Sequence, residues 1–267
     1  MDKRPIGVFD SGLGGLTAVS EIMRLLPGEN LVYFGDTARV PYGTRSEDTI
    51  LRYAKEDVDF LRSFDIKAIV MACGTVSSVA LPQIENDYDI PLFGVVRPAA
   101  EAAVSATKNN KIGIIGTAAT VKSRSYEREI LKHLPDAELY SNPCPLFVPL
   151  VENGRTSPDD IVVTTMVSEY LSPLKEKGVD TLIMGCTHYP IIEKAISAFM
   201  GDAVSLINPG LEAAKLLKNN DSVRKNSASQ GTAKFFVSDD AEGFDSLASL
   251  FLGKEIGGDV EKVQVGK

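Results

Sequence analysis

Short apolar runs recur along this chain, and helical stretches separate them. "PIGVFD", "NLVYFGD", "KAIVMAC" and "PLFGVV" fall within the first hundred residues, and "KIGIIGT" and "DTLIMGC" follow. Spacing predicts helices over about 14–26, 46–64 and 76–88, then over about 120–133 and 160–177. In the last of these, Val162, Val163, Met166, Val167, Tyr170, Leu171 and Leu174 keep the spacing of one buried face. Strands that are apolar throughout, rather than at alternate positions, are covered on both faces. The prediction is therefore an α/β fold with mainly parallel sheets, whose working residues lie beyond the carboxyl ends of the strands.

The pattern occurs twice. "IGVFDSGLGGLTAVSEI" at 6–22 parallels "IGIIGTAATVKSRSYEREI" at 112–130, each a strand, a small-residue turn and a helix. A strand ending in cysteine follows in each half, at Cys73 and at Cys186. This predicts two similar α/β domains related by pseudo-twofold symmetry, with a cleft between them. The first would comprise 1–96 and 209–267, because "AKFFVSDD" and "EGFDSLASLFL" read as one more strand-helix unit; the second would comprise 97–208.

At 267 residues the chain has room for both. A net charge of −8 without a cluster of Lys and Arg argues against a nucleic-acid partner. No apolar stretch reaches the roughly 18 residues of a membrane span. "MDKRPIGVFDSG" does not fit a signal peptide, so a cytoplasmic location is expected. Three cysteines, at 73, 144 and 186, form neither a disulfide framework nor a metal pair.

Related halves would set Cys73 and Cys186 facing each other across the cleft. Each is followed by a turn and a helix, with Thr75 a candidate N-cap for one and Pro190 suited to the first turn of the other. Exposed N–H groups at a helix start favour a thiolate. Two thiols flanking one small molecule suit two-base chemistry: one removes a proton from a stereogenic carbon while the other delivers a proton to the opposite face.

Other features have plainer readings. "DSGLGG" lacks the third glycine of a dinucleotide fingerprint, with Thr17 at its place, and Asp10 would repel a pyrophosphate. Cys144 between prolines reads as core, His133 as a surface residue ending a helix, and Asp36 as a residue that fixes its own loop. Glu152 in "ENG" is either turn chemistry or part of the site. The polar stretch 218–231 reads as an exposed loop.

Taken in order, "GVFDSGLGGLTA", "YFGDTARVPYGTRS", "MACGT", "IGIIGTAATV", "CPLFVPLVENG" and "MGCTHYP" resemble the glutamate racemases of the cofactor-independent aspartate/glutamate racemase superfamily, over essentially the whole chain. The resemblance implies two α/β domains with the active site between them, no cofactor and no metal. It also implies interconversion of L- and D-glutamate for peptidoglycan, and commonly a homodimer. By position, Cys73 resembles the base for the D-enantiomer and Cys186 the base for the L-enantiomer. Asp10 assists at Cys73, and Glu152 and His188 assist at Cys186. Asp10, Ser11, Tyr42, Gly43, Gly74, Thr75, Thr187 and His188 match substrate-binding segments. Gly74 stands where the family usually has Asn, which implies a missing polar anchor; one neutral hydrogen bond contributes about 0.5–1.5 kcal/mol. The alternatives are a racemase of aspartate or another acidic amino acid, and a non-catalytic amino-acid-binding module.

Overall fold

The computed structural model describes residues 2–239 except 222, 224 and 227, and then residues 244–253, 255 and 260–266. The strands are β1 (Ile6–Asp10), β2 (Leu31–Gly35), β3 (Ala68–Met71), β4 (Leu92–Gly94), β5 (Lys111–Gly116), β6 (Glu138–Pro143), β7 (Thr181–Met184), β8 (Ser205–Ile207), β9 (Ala233–Val237) and β10 (Val260–Lys262). They form two sheets, and every pairing is parallel. The larger sheet has the order β10-β9-β2-β1-β3-β4 and the smaller β6-β5-β7-β8. The smaller order repeats the last four strands of the larger, with β6 standing for β2, β5 for β1, β7 for β3 and β8 for β4, so the internal repeat is a repeat of topology.

Helices cover the sheets. In the first half they are α1 (Leu16–Leu25), α2 (Glu47–Arg62), α3 (Gly74–Val79) and α4 (Leu81–Ile84). The second half contributes α5 (Val96–Ala106), α6 (Ala118–Ser123), α7 (Ser125–His133), α8 (Phe147–Glu152), α9 (Ile161–Glu176) and α10 (Glu193–Met200). Two more, α11 (Pro209–Asn219) and α12 (Phe244–Leu252), follow as the chain returns to the larger sheet. Ser46 caps α2 by accepting from Thr49 N, and Ile50, Ala54, Val58 and Leu61 bury one stripe of it. Asp160 caps α9 by accepting from Val162 N and Val163 N. On α9, Val163, Val167, Leu171 and Leu174 are buried as the spacing predicts, whereas Val162 lies on the solvent side.

Two predicted helices are divided. The 76–88 helix breaks between α3 and α4 because Pro82 has no N–H for the Ser78 carbonyl; Ser125 Oγ, from the second half, donates to that oxygen instead at 2.6 Å. The 120–133 helix turns at Arg124, whose φ of 52° is left-handed. β6, β8 and β10 lie outside the predicted strands, since each is short or polar. The "EGFDSLASLFL" prediction is met over Phe244–Leu252, and residues 242 and 243 fall outside the described part. The 218–231 loop likewise includes residues outside it.

Aromatic packing fastens the returning strand. Phe236 on β9 stacks on Phe60 and Phe64 beside α2, with ring centroids 5.6 and 4.9 Å apart. Each such pair adds about 0.5–1.5 kcal/mol beyond area burial. The turns after β3 and β7 lie against each other, with Gly74 beside Gly185 and Cys186.

Candidate active site

Cys73 follows β3 and is itself the N-cap of α3, with extended backbone and a carbonyl that accepts from Ser77 N at 2.9 Å. Thr75 is thus inside the helix and not its cap. Instead its Oγ1 lies 3.0 Å from Thr117 Oγ1 across the cleft, and Thr117 Oγ1 lies 3.0 Å from Thr120 Oγ1. The Cys73 sulfur is 3.6 Å from Ser11 Oγ. Burial pushes the Cys73 thiol up to about 12; the Asp10 charge adds to the rise, and the Val76 N–H and Ser11 oppose it.

Asp10 ends β1 and is almost wholly buried. One carboxyl oxygen accepts from Gly12 N at 3.0 Å and the other from Thr187 Oγ1 at 3.5 Å. Burial raises its pKa, while His188 and the turn amides pull against that rise. Thr17 Oγ1 donates to the Thr187 carbonyl at 3.0 Å, so the β1 turn reaches the second half at a further point.

Cys186 lies in the turn after β7, just before a 3-10 turn, Tyr189–Ile192, that carries Pro190 in its first residues. His188 Nδ1 is 3.9 Å from the Cys186 sulfur and 3.4 Å from Thr187 Oγ1, and its Nε2 is 3.0 Å from Glu152 Oε1. Phe251 packs against the imidazole, with ring centroids 5.1 Å apart and planes at 81°. Burial alone would lower the pKa of His188. The Cys186 and Glu152 contacts overcome it and raise the ring to about 10. At neutral pH His188 is a cation held between a thiol position and a carboxylate.

The two strand ends meet closely. A Cβ built on Gly74 would lie 3.8 Å from Cys186 Cα. Behind them is a gap of about 10 Å³, lined by Thr17, Ala72, Gly74, Gly185, Cys186 and Thr187 among others; that is roughly the room of one water. The structure therefore brings Asp10, Ser11, Cys73, Gly74 and Thr75 together with Thr187, Cys186 and His188, and Glu152 with them.

Tyr42 is the exception. Its phenol is buried and hydrogen-bonded to Asp36 and, at 3.1 Å, to Asp57. Asp36 also holds Arg39 and accepts from Ser238 Oγ at 2.8 Å, so it fixes its loop as expected. Gly43 touches the second half: a Cβ there would come within 2.7 Å of Thr117 Cβ. Cys144 is fully buried, and its carbonyl accepts from the Tyr189 hydroxyl at 2.9 Å. Sequence reasoning passed over Thr117, although the alignment of 6–22 with 112–130 sets it opposite Ser11. Among the described residues no group of three or more His, Cys, Asp or Glu is placed to hold a metal.

Comparison with known proteins bears on the family and the fold. A glutamate racemase from Geobacter metallireducens is 43% identical over 269 residues, covering 99% of this chain and 98% of its own. The solved glutamate racemase RacE1 of Bacillus anthracis superposes with a TM-score of 0.91 at 37% identity and covers 98% of each chain. The Francisella tularensis glutamate racemase, solved with D-glutamate, gives 0.88 at 40% identity and covers 99% of this chain and 98% of its own. The Asp/Glu/hydantoin racemase family model matches residues 11–217, and the chain belongs to that family.

Proposed function

We propose that the chain interconverts L- and D-glutamate by two-base proton transfer between Cys73 and Cys186. The observation that carries this reading is the unlike setting of two like-placed thiols. Cys73 is buried beside a carboxyl group and held as a thiol, whereas Cys186 adjoins a protonated imidazole. In the L-to-D direction the Cys186 sulfur takes the α-proton, and the Cys73 S–H protonates the carbon from the other side. In the reverse direction the roles exchange, with Asp10 assisting Cys73.

The relatives named glutamate racemase support the choice of substrate, as does the family member solved with D-glutamate. A zwitterionic dicarboxylate needs an acceptor for its ammonium and donors for its carboxylates. Asp10 supplies the first; Ser11, Thr75, Thr117, Thr187 and the turn amides at Tyr42–Gly43 supply the second. The reading includes the division into 1–96 with 209–267 and 97–208, a homodimer, a cytoplasmic location, and a role in supplying D-glutamate for peptidoglycan. The full-length resemblance supports these.

The test is incubation with L-glutamate, and separately with L-aspartate, in deuterium oxide. Loss of both optical rotation and the α-proton signal is expected with glutamate. Binding of glutamate without either change would leave only a binding module, and faster turnover of aspartate would reassign the substrate.

A further inference from the structure

The Tyr42–Gly43 segment, whose amides the proposed reaction uses, has little to hold it locally. It opens a single 3-10 turn, Tyr42–Thr44, after Pro41 and without a side-chain cap. The Tyr42 phenol fixes it instead, in a buried cluster that the proton transfer does not use. Arg39 donates from Nε to Asp36, from Nη1 to Glu56 on α2, and from Nη2 to Asp57 Oδ1, also on α2, at 2.7 Å. Its guanidinium lies over the Tyr53 ring, 4.2 Å from the centroid. One cation thus serves three carboxyl groups, and two of these, Asp36 and Asp57, are wholly buried. Burial and the neighbouring carboxyl groups keep the phenol protonated, so it has one hydrogen for Asp36 and Asp57 together. Asp36 meets donors at both oxygens: Arg39 and the phenol at Oδ2, and Ser238 Oγ at Oδ1, 2.8 Å away. Asp57 Oδ2 faces the phenol oxygen at 3.1 Å. Once the phenol hydrogen goes to Asp36, two oxygens face each other there with no hydrogen between them. A proton on Asp57 Oδ2 closes the chain: Asp57 donates to Tyr42, and Tyr42 donates to Asp36. Burial and the Asp36 charge push the Asp57 carboxyl well above the usual carboxylate range, against the pull of Arg39.

We infer that Arg39, Asp36 and a neutral Asp57 are positioning residues: through the Tyr42 phenol they hold the Tyr42–Gly43 turn beside Thr117 of the second half, where its amides meet a carboxylate of the ligand. The inference rests on the reading of those amides as substrate donors. It makes the two buried carboxyl groups unequal. An amide at 57 keeps both bonds, with its oxygen toward Arg39 and its NH2 toward the phenol. An amide at 36 takes away the negative partner to which Arg39 and the phenol both donate.

Four variants, Asp57→Asn, Asp36→Asn, Tyr42→Phe and Arg39→Lys, test this by the Kd for D-glutamate, by kcat and KM, by melting temperature and by the infrared spectrum at neutral pH. The parent should show the C=O stretch of an un-ionised carboxyl group that Asp57→Asn lacks. Asp57→Asn should keep the parent's Kd, kcat and KM. Each of the other three should raise Kd and KM about 10-fold, the loss of one hydrogen bond to a charged group, with kcat held. If Asp36→Asn does not fold, Tyr42→Phe carries the same comparison, because it keeps the ring and removes only the hydroxyl. The inference is overturned if Asp57→Asn leaves that infrared band in place, or if it weakens binding as much as Asp36→Asn or Tyr42→Phe. It also fails if the variants lower the melting temperature without raising KM, since the cluster would then support the fold alone. The infrared comparison involves no substrate, so failure there is distinct from failure of the glutamate reading.

Discussion

Cys73 and Cys186 follow equivalent strands of two sheets that share a four-strand order, and their surroundings differ. Around Cys73 are a buried carboxyl group, a serine hydroxyl and a helix amide. Around Cys186 are an imidazolium and, behind it, a carboxylate 44% exposed to solvent. The shared topology places a cysteine at the end of the corresponding strand in each sheet, and the groups around the two cysteines differ. A repeated fold thus gives like placement while its loops give unlike surroundings, and the proposed two-base reading rests on that difference.

The comparison can be broken most directly at the sulfurs. Cys73→Ser and Cys186→Ser are each expected to lower racemisation by about 10³-fold or more, the upper range for loss of an acid–base group. Because enantiomers have equal free energy, kcat/KM must fall equally in both directions. Isotope exchange separates the two sites: Cys73→Ser should wash deuterium into L-glutamate only, and Cys186→Ser into D-glutamate only. The opposite pattern would exchange the assignments.

Removing the cation should have the next largest effect. His188→Asn is expected to lower kcat from L-glutamate about 100-fold. In the parent, that kcat should decline as pH rises through about 10, where the folded-state imidazolium loses its proton. The same group gives a sign for stability. Its pKa is raised from 6.5 to about 10 in the folded state, so its contribution is full below about 6.5 and is lost as pH rises through about 10. Denaturant titrations of parent and His188→Asn should therefore converge over that interval; a constant gap would sink the argument.

Glu152→Gln gives the smallest expected change, because solvent screens a half-exposed carboxylate. A several-fold loss in kcat is expected, with the alkaline decline moved to lower pH. An unmoved pH profile would show that Glu152 does not act through His188.

Much of this was legible in the sequence where burial leaves a pattern. β1, β2, β3, β5 and β7 are continuous apolar runs because both faces are covered, and the cysteines stand where those runs stop. Edge strands such as β6 and β10 carry polar residues on faces open to water, so no run marks them. The division of the 76–88 helix depended on Pro82 and on a partner from distant Ser125, a contact that local spacing does not encode. Tyr42 was placed at the site by its neighbours in sequence, but its phenol satisfies Asp36 and Asp57, two carboxyl groups only the folded loop brings within reach.

The order in which strands enter the sheets has a consequence for biosynthesis. All four strands of the smaller sheet lie between residues 111 and 207, an uninterrupted stretch that can assemble as soon as it leaves the ribosome. The larger sheet gains its last two strands from residues 233–262, so it must wait with the edge of β2 unpaired through more than a hundred intervening residues. The later-translated half is therefore the first whose strands are all synthesised.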